Sequence, residues 1–276
     1  MEPDRPEPLD LVERAHLVDP ADRSHTVHRY GAPDDLADLV RRFWLPVWSV
    51  PPGEEAVQRV LQYPVALVVV ASTYTTVRGP ASGLSEVALA GDGWAAGVMF
   101  QPAAGAMLVG GTMDAWTDRA EPLEVLGPHT VPVVTAVREA MGAEPHAEAS
   151  HRRAIEALAG LARRLGPVDA EGRLANEVVA CVEDRPEITS VALLCAEVGL
   201  GERALQRLTR ARLGLTPRWL IQRRRLHEAA ERLRTHGGSL ADLAAELGYA
   251  DQPHFTRDLR TVTDMTPGQL AALHRP

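Results

Sequence analysis

At 276 residues, 45% of them hydrophobic, the chain is long enough for two domains that each bury a core. Its net charge of −8 argues against a protein that binds nucleic acid over its whole surface. Two cysteines, Cys181 and Cys195, exclude a disulfide scaffold or a cysteine-based zinc site, and both fall in apolar helical patterns that favour burial.

The charge is unevenly spread. From residue 171 onward 15 arginines meet 14 acids, whereas residues 1–170 hold 14 arginines and 23 acids. Such an acidic front joined to a balanced half suggests two separate tasks. Every basic residue other than histidine is an arginine.

Residues 1–22 are acidic and proline-rich and read as a flexible tail, without the basic start and apolar stretch of a signal peptide. From His25 the pattern changes to short extended runs punctuated by Gly and Pro: HTVHRY, FWLPVWSV, VQRVLQY, VALVVV, TYTTVR, SEVALAG and GWAAGVMFQP. VALVVV is almost continuously apolar and predicts a central strand buried on both faces. A run of strands without alternating helices predicts a small barrel or sandwich. Short helices then follow at QPAAGAMLVG and EPLEVLG. A longer one runs from about Ala147 to Leu165, with Ile155, Leu158, Leu161, Ala162 and Leu165 on one stripe. That stripe is expected to pack on the barrel, with the same helix of a second subunit as the alternative. Leu165–Gly172 has the composition of a hinge.

Nothing in this front domain, residues 23–166, argues for catalysis, a cofactor or a metal. His25 and His28 are three apart, which puts them on opposite faces of a strand. No serine sits in a nucleophile-elbow context, and no carboxylate pair has a supporting histidine. The aromatics offer a binding site instead. Trp44 and Trp48 share strand parity, and with Tyr63, Tyr74 and Phe100 they form a candidate effector pocket, with plain core packing as the other reading.

The second half, residues 167–276, repeats itself. Leu194, Ala196, Glu197 and Gly199 recur 49 positions later as Leu243, Ala245, Glu246 and Gly248. Beyond the turn the offset is 50, pairing Leu205 with Phe255, Arg207 with Arg257, Arg210 with Arg260 and Pro217 with Pro267. A short helix, a glycine turn and a second amphipathic helix make a helix-turn-helix. The two copies occupy about 189–212 and 239–262. Gly199 and Gly248 end the first helix of each, where a left-handed backbone costs glycine least. In the first copy Arg203, Gln206, Arg207 and Arg210 share a face opposite Leu205 and Leu208. In the second, His254, Arg257 and Arg260 oppose Phe255, Leu259 and Val262. Guanidinium and amide groups arrayed in this way read base edges or hold phosphates.

Thr216 caps and Pro217 opens a connecting helix that runs to about Thr235. Its length of about 28 Å is close to one DNA repeat of about 34 Å, so both copies can reach successive major grooves. Arg223, Arg224 and Arg225 cannot all face one way, and one or two are expected to pack, or to pair with Glu228 and Glu231.

This half resembles the DNA-binding domain of the AraC/XylS family of transcription regulators, through the scaffold helix and the segment GYADQPHFTRDLRTVTDMTPGQL. Thr209 and Leu259 replace usual aromatics and Asp264 a usual glycine, so the core is expected to be slightly smaller and Asp264 to tolerate the turn. The resemblance implies base readers at Arg203, Gln206 and Arg207 in the first copy and at Gln252, His254, Thr256 and Arg257 in the second. The front domain, with its FW…W start and GVMFQPAAG segment, more weakly resembles a variant sensor domain that precedes such DNA-binding domains.

The expected architecture is therefore α+β in two domains, a small cupin-like β-barrel sensor with accessory helices before an all-α domain with two helix-turn-helix motifs. The expected protein is a cytoplasmic regulator, not an enzyme, that binds double-stranded DNA. A small-molecule effector, a homodimer and, for an activator, RNA polymerase are the partners implied, and no membrane. The alternative is a ligand-independent regulator whose barrel serves dimerisation or a partner protein. No segment such as LVVVA approaches the roughly 20 apolar residues that span a bilayer.

Overall fold

The computed structural model describes Leu17 and residues 22–61, 63–235 and 239–272. Most of the predicted amino-terminal tail lies outside the described residues. Leu17 is an exception to it, since its side chain is buried and its N–H donates to the Arg59 carbonyl at 2.9 Å.

Eight strands precede most of the helices: β1 (His25–Gly31), β2 (Val40–Ser49), β3 (Ala56–Leu61), β4 (Leu67–Ala71), β5 (Thr75–Arg78), β6 (Leu84–Leu89), β7 (Asp92–Phe100) and the short β8 (Ala120–Glu121). Six form one antiparallel sheet in the order β1-β2-β7-β4-β5-β8, and β3 pairs with β6 in a separate two-stranded ribbon. β4, the run LVVVA, lies inside the sheet between β7 and β5 and is buried throughout, as its unbroken apolar pattern predicts.

Alternation along β2 and β7 divides the sheet into two faces. Phe43, Leu45, Val47, Val68, Val70, Ala96, Val98 and Phe100 point to one side. There they meet three helices, α1 (Pro102–Val109), α2 (Thr130–Gly142) and α3 (Glu148–Arg163), in the front-domain core. The predicted stripe on α3 packs here, with Leu158, Leu161 and Ala162 buried, Ile155 and Leu165 partly buried, and Ala154 added to it. The opposite face, with Trp44, Trp48, Ala95 and Met99, looks toward the ribbon.

The hinge stretch leads to α4 (Ala170–Asp184), whose first turn is capped by the Asp169 carboxylate accepting from Gly172 N–H at 2.6 Å. Then come α5 (Val191–Val198), α6 (Glu202–Leu213), the long α7 (Pro217–Thr235), α8 (Leu240–Glu246), α9 (Gln252–Thr263) and α10 (Pro267–Ala272). Gly199 and Gly248 adopt positive φ (66° and 76°), and Asp264 closes α9 in the left-handed region at φ 56°. Thr209 and Leu259 are fully buried in place of aromatics. Cys181 and Cys195 are half-buried rather than buried, at the edge of the α4–α7 core.

The halves are not strung on a loose linker. One core runs from Leu61, Tyr63, Val65, Leu67 and Met99 of the front domain into Leu226, Ala230 and Leu233 of α7 and on to Phe255, Leu259 and Leu270. α1 packs against both α4 and α6. No helix among the described residues is long and apolar enough to cross a membrane.

Candidate nucleic-acid interface and effector cavity

In the first helix-turn-helix, α6 buries Leu205, Leu208, Thr209 and Leu213 and leaves Arg203, Gln206, Arg207 and Arg210 exposed. Its start is acidic, and the Glu202 carboxylate accepts from the Gln206 amide at 3.0 Å. In the second, the Asp251 carboxylate caps α9 by accepting from His254 N–H at 2.7 Å, and Phe255, Leu259 and Thr263 are buried. Gln252, Arg257 and Arg260 are exposed. His254 and Thr256 are half-buried, and the His254 ring packs edge-on against Tyr249 at 5.2 Å between centroids. Arg203, Gln206, Arg207, Gln252 and Arg257 therefore lie on the outer faces of their helices, whereas Thr256 sits on the flank and His254 divides its contacts between solvent and scaffold.

Other arginines of this half hold structure. Arg212 pairs with Asp169 at 2.6 Å and Glu171 at 2.8 Å, anchoring α6 to the start of α4. Arg224 pairs with Glu228 at 3.1 Å, as the spacing predicts, and also donates to the Pro186 carbonyl. Arg225 donates to the Thr189 carbonyl at 2.7 Å and its guanidinium lies 5.2 Å from the centre of the Tyr249 ring, tying the two copies together.

The connecting helix α7 presents a third face, toward the front domain. Trp219, Arg223 and His227 are spaced four apart and so stack along one side. The Trp219 indole and the Arg223 guanidinium both donate to the Ser82 carbonyl, at 2.9 and 2.8 Å. His227 Nε2 lies 2.8 Å from the Leu61 carbonyl. Arg223 is 3% exposed, and burial depresses its pKa to about 10. Below the helix, Arg41 of β2 makes a bidentate pair with Glu183 of α4 at 2.8 and 2.9 Å. Asn176 accepts from Ala103 N–H and donates to the Asp38 carbonyl, and Thr117 Oγ1 donates to the carbonyl of Gly214, the residue that ends α6.

Between the six-stranded sheet and the β3–β6 ribbon lies a cavity of about 190 Å³. Trp44, Trp48 and Tyr74 line it. Tyr63 and Phe100 do not, which corrects the expected pocket at two positions. Phe100 is one residue out of step with Met99, so it points into the helix-covered core. Tyr63 follows the end of β3 and packs at the domain junction, 4.6 Å from the His227 ring and 4.5 Å from the Arg41 guanidinium. His25, Arg29, Arg42, Gln58 and Arg78 line the cavity and were not among the expected pocket residues. The signal for two of them was present: Arg42 shares the parity of Trp44 and Trp48, and Arg29 that of His25. Opposite the cavity, His28 faces the helices, its ring 4.5 Å from that of His151.

Residues 194–272 match a family described as a helix-turn-helix domain, and residues 28–122 match a domain of unknown function (DUF6597). The HTH-type transcriptional activator RhaS of Klebsiella pneumoniae (strain 342) is 31% identical over 141 residues, 49% of this chain and 50% of that protein. The activator of the same name from Enterobacter sp. (strain 638) is 31% identical over 132 residues, 46% of this chain and 47% of its own. The chain thus spans about half the length of the curated relatives it matches. Among solved structures, ToxT from Vibrio cholerae O395 aligns with a TM-score of 0.39 and 11% identity, over 91% of this chain and 98% of that one. The unsaturated fatty acid bound wild-type ToxT from Vibrio cholerae strain SCE256 gives 0.38 and 11%, over 91% and 96%.

Proposed function

We propose that the chain is a sequence-specific DNA-binding regulator of transcription of the AraC/XylS type, governed by a small molecule held in the front-domain cavity. The match of residues 194–272 to a helix-turn-helix family supports the DNA-binding part of that reading. The observation that carries the DNA reading is the paired geometry of α6 and α9. Each follows a glycine turn, buries one apolar side and exposes arginine and glutamine on the other. Arg203, Gln206 and Arg207, with Gln252, His254, Thr256 and Arg257, are the proposed base readers. Arg210 and Arg260, a turn further on, are placed to hold phosphate.

What the cavity touches supports control by an effector. Gln58 and Val60 of β3 line it, and Leu61 next to them accepts from His227 of α7. Arg78 of β5 lines it, and the loop that follows carries Ser82, the acceptor for Trp219 and Arg223. An occupant that shifts β3 or the β5–β6 loop therefore acts on the helix that spaces the two DNA readers. Such a ligand regulates to the extent that it binds one arrangement better than the other.

The test is selection of bound sequences from random duplex DNA with the full chain at stated salt. The expected result is a motif with two half-sites about ten base pairs apart, one per major groove. Recovery of no motif would remove the base-reading assignment.

A further inference from the structure

The front-domain cavity is charged in one sense only. Arg29, Arg42 and Arg78 line it together with His25 and Gln58, and no carboxylate is found among the described residues of its wall. Asp22 stands nearby, where it accepts from the Gln58 amide at 2.9 Å and lies 3.4 Å from His25. Arg29 and Arg42 each have partners of their own, but the Arg78 side chain has no hydrogen bond or ion pair among the described residues. A guanidinium beside an apolar wall without a counter-ion is an open position for an anion.

The arginines are also placed at one end. Strand register sets Arg42, Met99, Leu67 and Arg78 in a single row across β2, β7, β4 and β5. The next row holds Arg29, Trp44, Gly97 and Val69, and two rows further stand His25, Trp48 and Gly93. The cavity thus runs from a cationic row to an apolar one, where Trp44 and Trp48 cover two glycines and Val27, Val69, Val87 and Leu89 complete the wall. Its neutral hydrogen-bonding side chains are few, and Gln58 is already engaged, so a polyhydroxylated guest would leave buried hydroxyls unpaired. Its volume of about 190 Å³ suits a small guest, since a cavity of about 150 Å³ already holds benzene.

Resting on the reading of this cavity as the effector site, we infer that its ligand is a small amphipathic carboxylate. The apolar body, one ring or a short chain, lies against Trp44 and Trp48, and the carboxylate is directed to Arg78 and the row it ends.

The test uses the full chain with 4-methylbenzoate and octanoate as probes, each beside its own primary amide, followed by calorimetry and tryptophan emission. At least one acid is expected to bind about tenfold or more tightly than its amide, the value of a charge-assisted hydrogen bond. Arg78→Gln abolishes that ratio while leaving amide affinity in place, which also reports a folded cavity; Arg78→Lys retains the preference. Trp44→Leu weakens acid and amide together. Equal affinities for acid and amide, an unchanged ratio in Arg78→Gln, or binding of neither pair by the wild-type chain overturns the inference. DNA binding read in the same samples separates the two levels. A neutral ligand that alters DNA affinity sinks the carboxylate assignment and leaves the effector reading intact, whereas an acid that binds without altering DNA affinity removes the effector reading and leaves the carboxylate site.

Discussion

The Trp44 indole covers Gly97 on the neighbouring strand so closely that a Cβ on that glycine would fall 2.4 Å from the ring. Trp48 covers Gly93 in the same way, also at 2.4 Å. The two glycines are therefore the other half of the tryptophan pair, giving each ring a seat in the sheet and keeping the space above it open. Gly97→Ala drives the Trp44 ring into the cavity. We expect a stability loss of about 1–3 kcal/mol in urea denaturation and altered tryptophan emission. Gly160→Ala on α3, where an added Cβ meets nothing within 4 Å, serves as the control. It is expected to be stabilising by about 0.4–1 kcal/mol. A Gly97→Ala protein with wild-type stability and emission would show that the ring yields without cost.

This pairing illustrates what could be read from the amino-acid order and what could not. Glycine-terminated helices with one apolar side are local patterns, so both helix-turn-helix units, the Thr216 cap and the left-handed Asp264 were all legible. Strand parity is local too, which is why Trp44 and Trp48 were correctly put on one face. The parity of one strand relative to another depends on register, and register is a long-range property. Phe100 was misplaced for that reason, and Gly97 and Gly93 could not be matched to their tryptophans. The domain junction was hidden for a related reason. Arg41 and Glu183 stand 142 residues apart, and neither has a neighbour in sequence that announces the other.

That ion pair is a bidentate tie between the halves, with both side chains about 15% exposed (15% for Arg41 and 16% for Glu183). Removing one partner leaves the other charge largely desolvated, and Glu183→Gln or Arg41→Met is expected to cost about 3 kcal/mol. Joint replacement by Met and Leu should restore most of it, since an apolar pair carries no uncompensated charge. Limited proteolysis in the hinge, residues 165–172, provides a second reading, with cleavage faster in the single variants. Equal cleavage rates in the wild type, both single variants and the double variant would mean that the junction is held by its apolar core alone.

On the far face of the sheet, His28 supplies a pH dependence. Burial holds its imidazole below the usual histidine range, and the His151 and His146 rings at 4.5 and 6.5 Å add to the effect. Around them Tyr30 lies 2.7 Å from His151 Nδ1, and Glu148 and Arg152 stand nearby on α3. A base whose folded pKa is depressed takes up fewer protons folded than unfolded, so stability falls as pH drops below the ordinary value near 6.5. The expected outcome is a lower urea midpoint at pH 5.5 than at pH 7.5 (two buffers about one unit either side of that value). His28→Phe keeps a ring in place and removes the titration, so it should shrink the difference between the two buffers. An undiminished difference would assign the slope to other groups.

The arginines of the carboxyl-terminal half separate into two kinds by their partners, and that separation is testable on DNA. Arg207 and Arg257 project from exposed positions of α6 and α9, and their side chains have no ion pair among the described residues. Both are exposed, and truncating either to Ala removes no side-chain hydrogen bond or ion pair among the described residues, so the urea midpoint should stay within experimental error. If each reads a base, affinity for the selected site falls by about 1–3 kcal/mol while affinity for random duplex changes little. If each holds a phosphate, both affinities fall together and the dependence on salt concentration flattens by about one ion. Arg212 lies in the same helix as Arg207 but is 14% exposed and held by Asp169 and Glu171. Arg212→Ala should therefore lower stability, and reach DNA binding only through the loosened seat of α6. An Arg207→Ala chain that binds its site as tightly as wild type would place the readable face of α6 elsewhere, leaving Arg203 and Gln206 as the residues to truncate next.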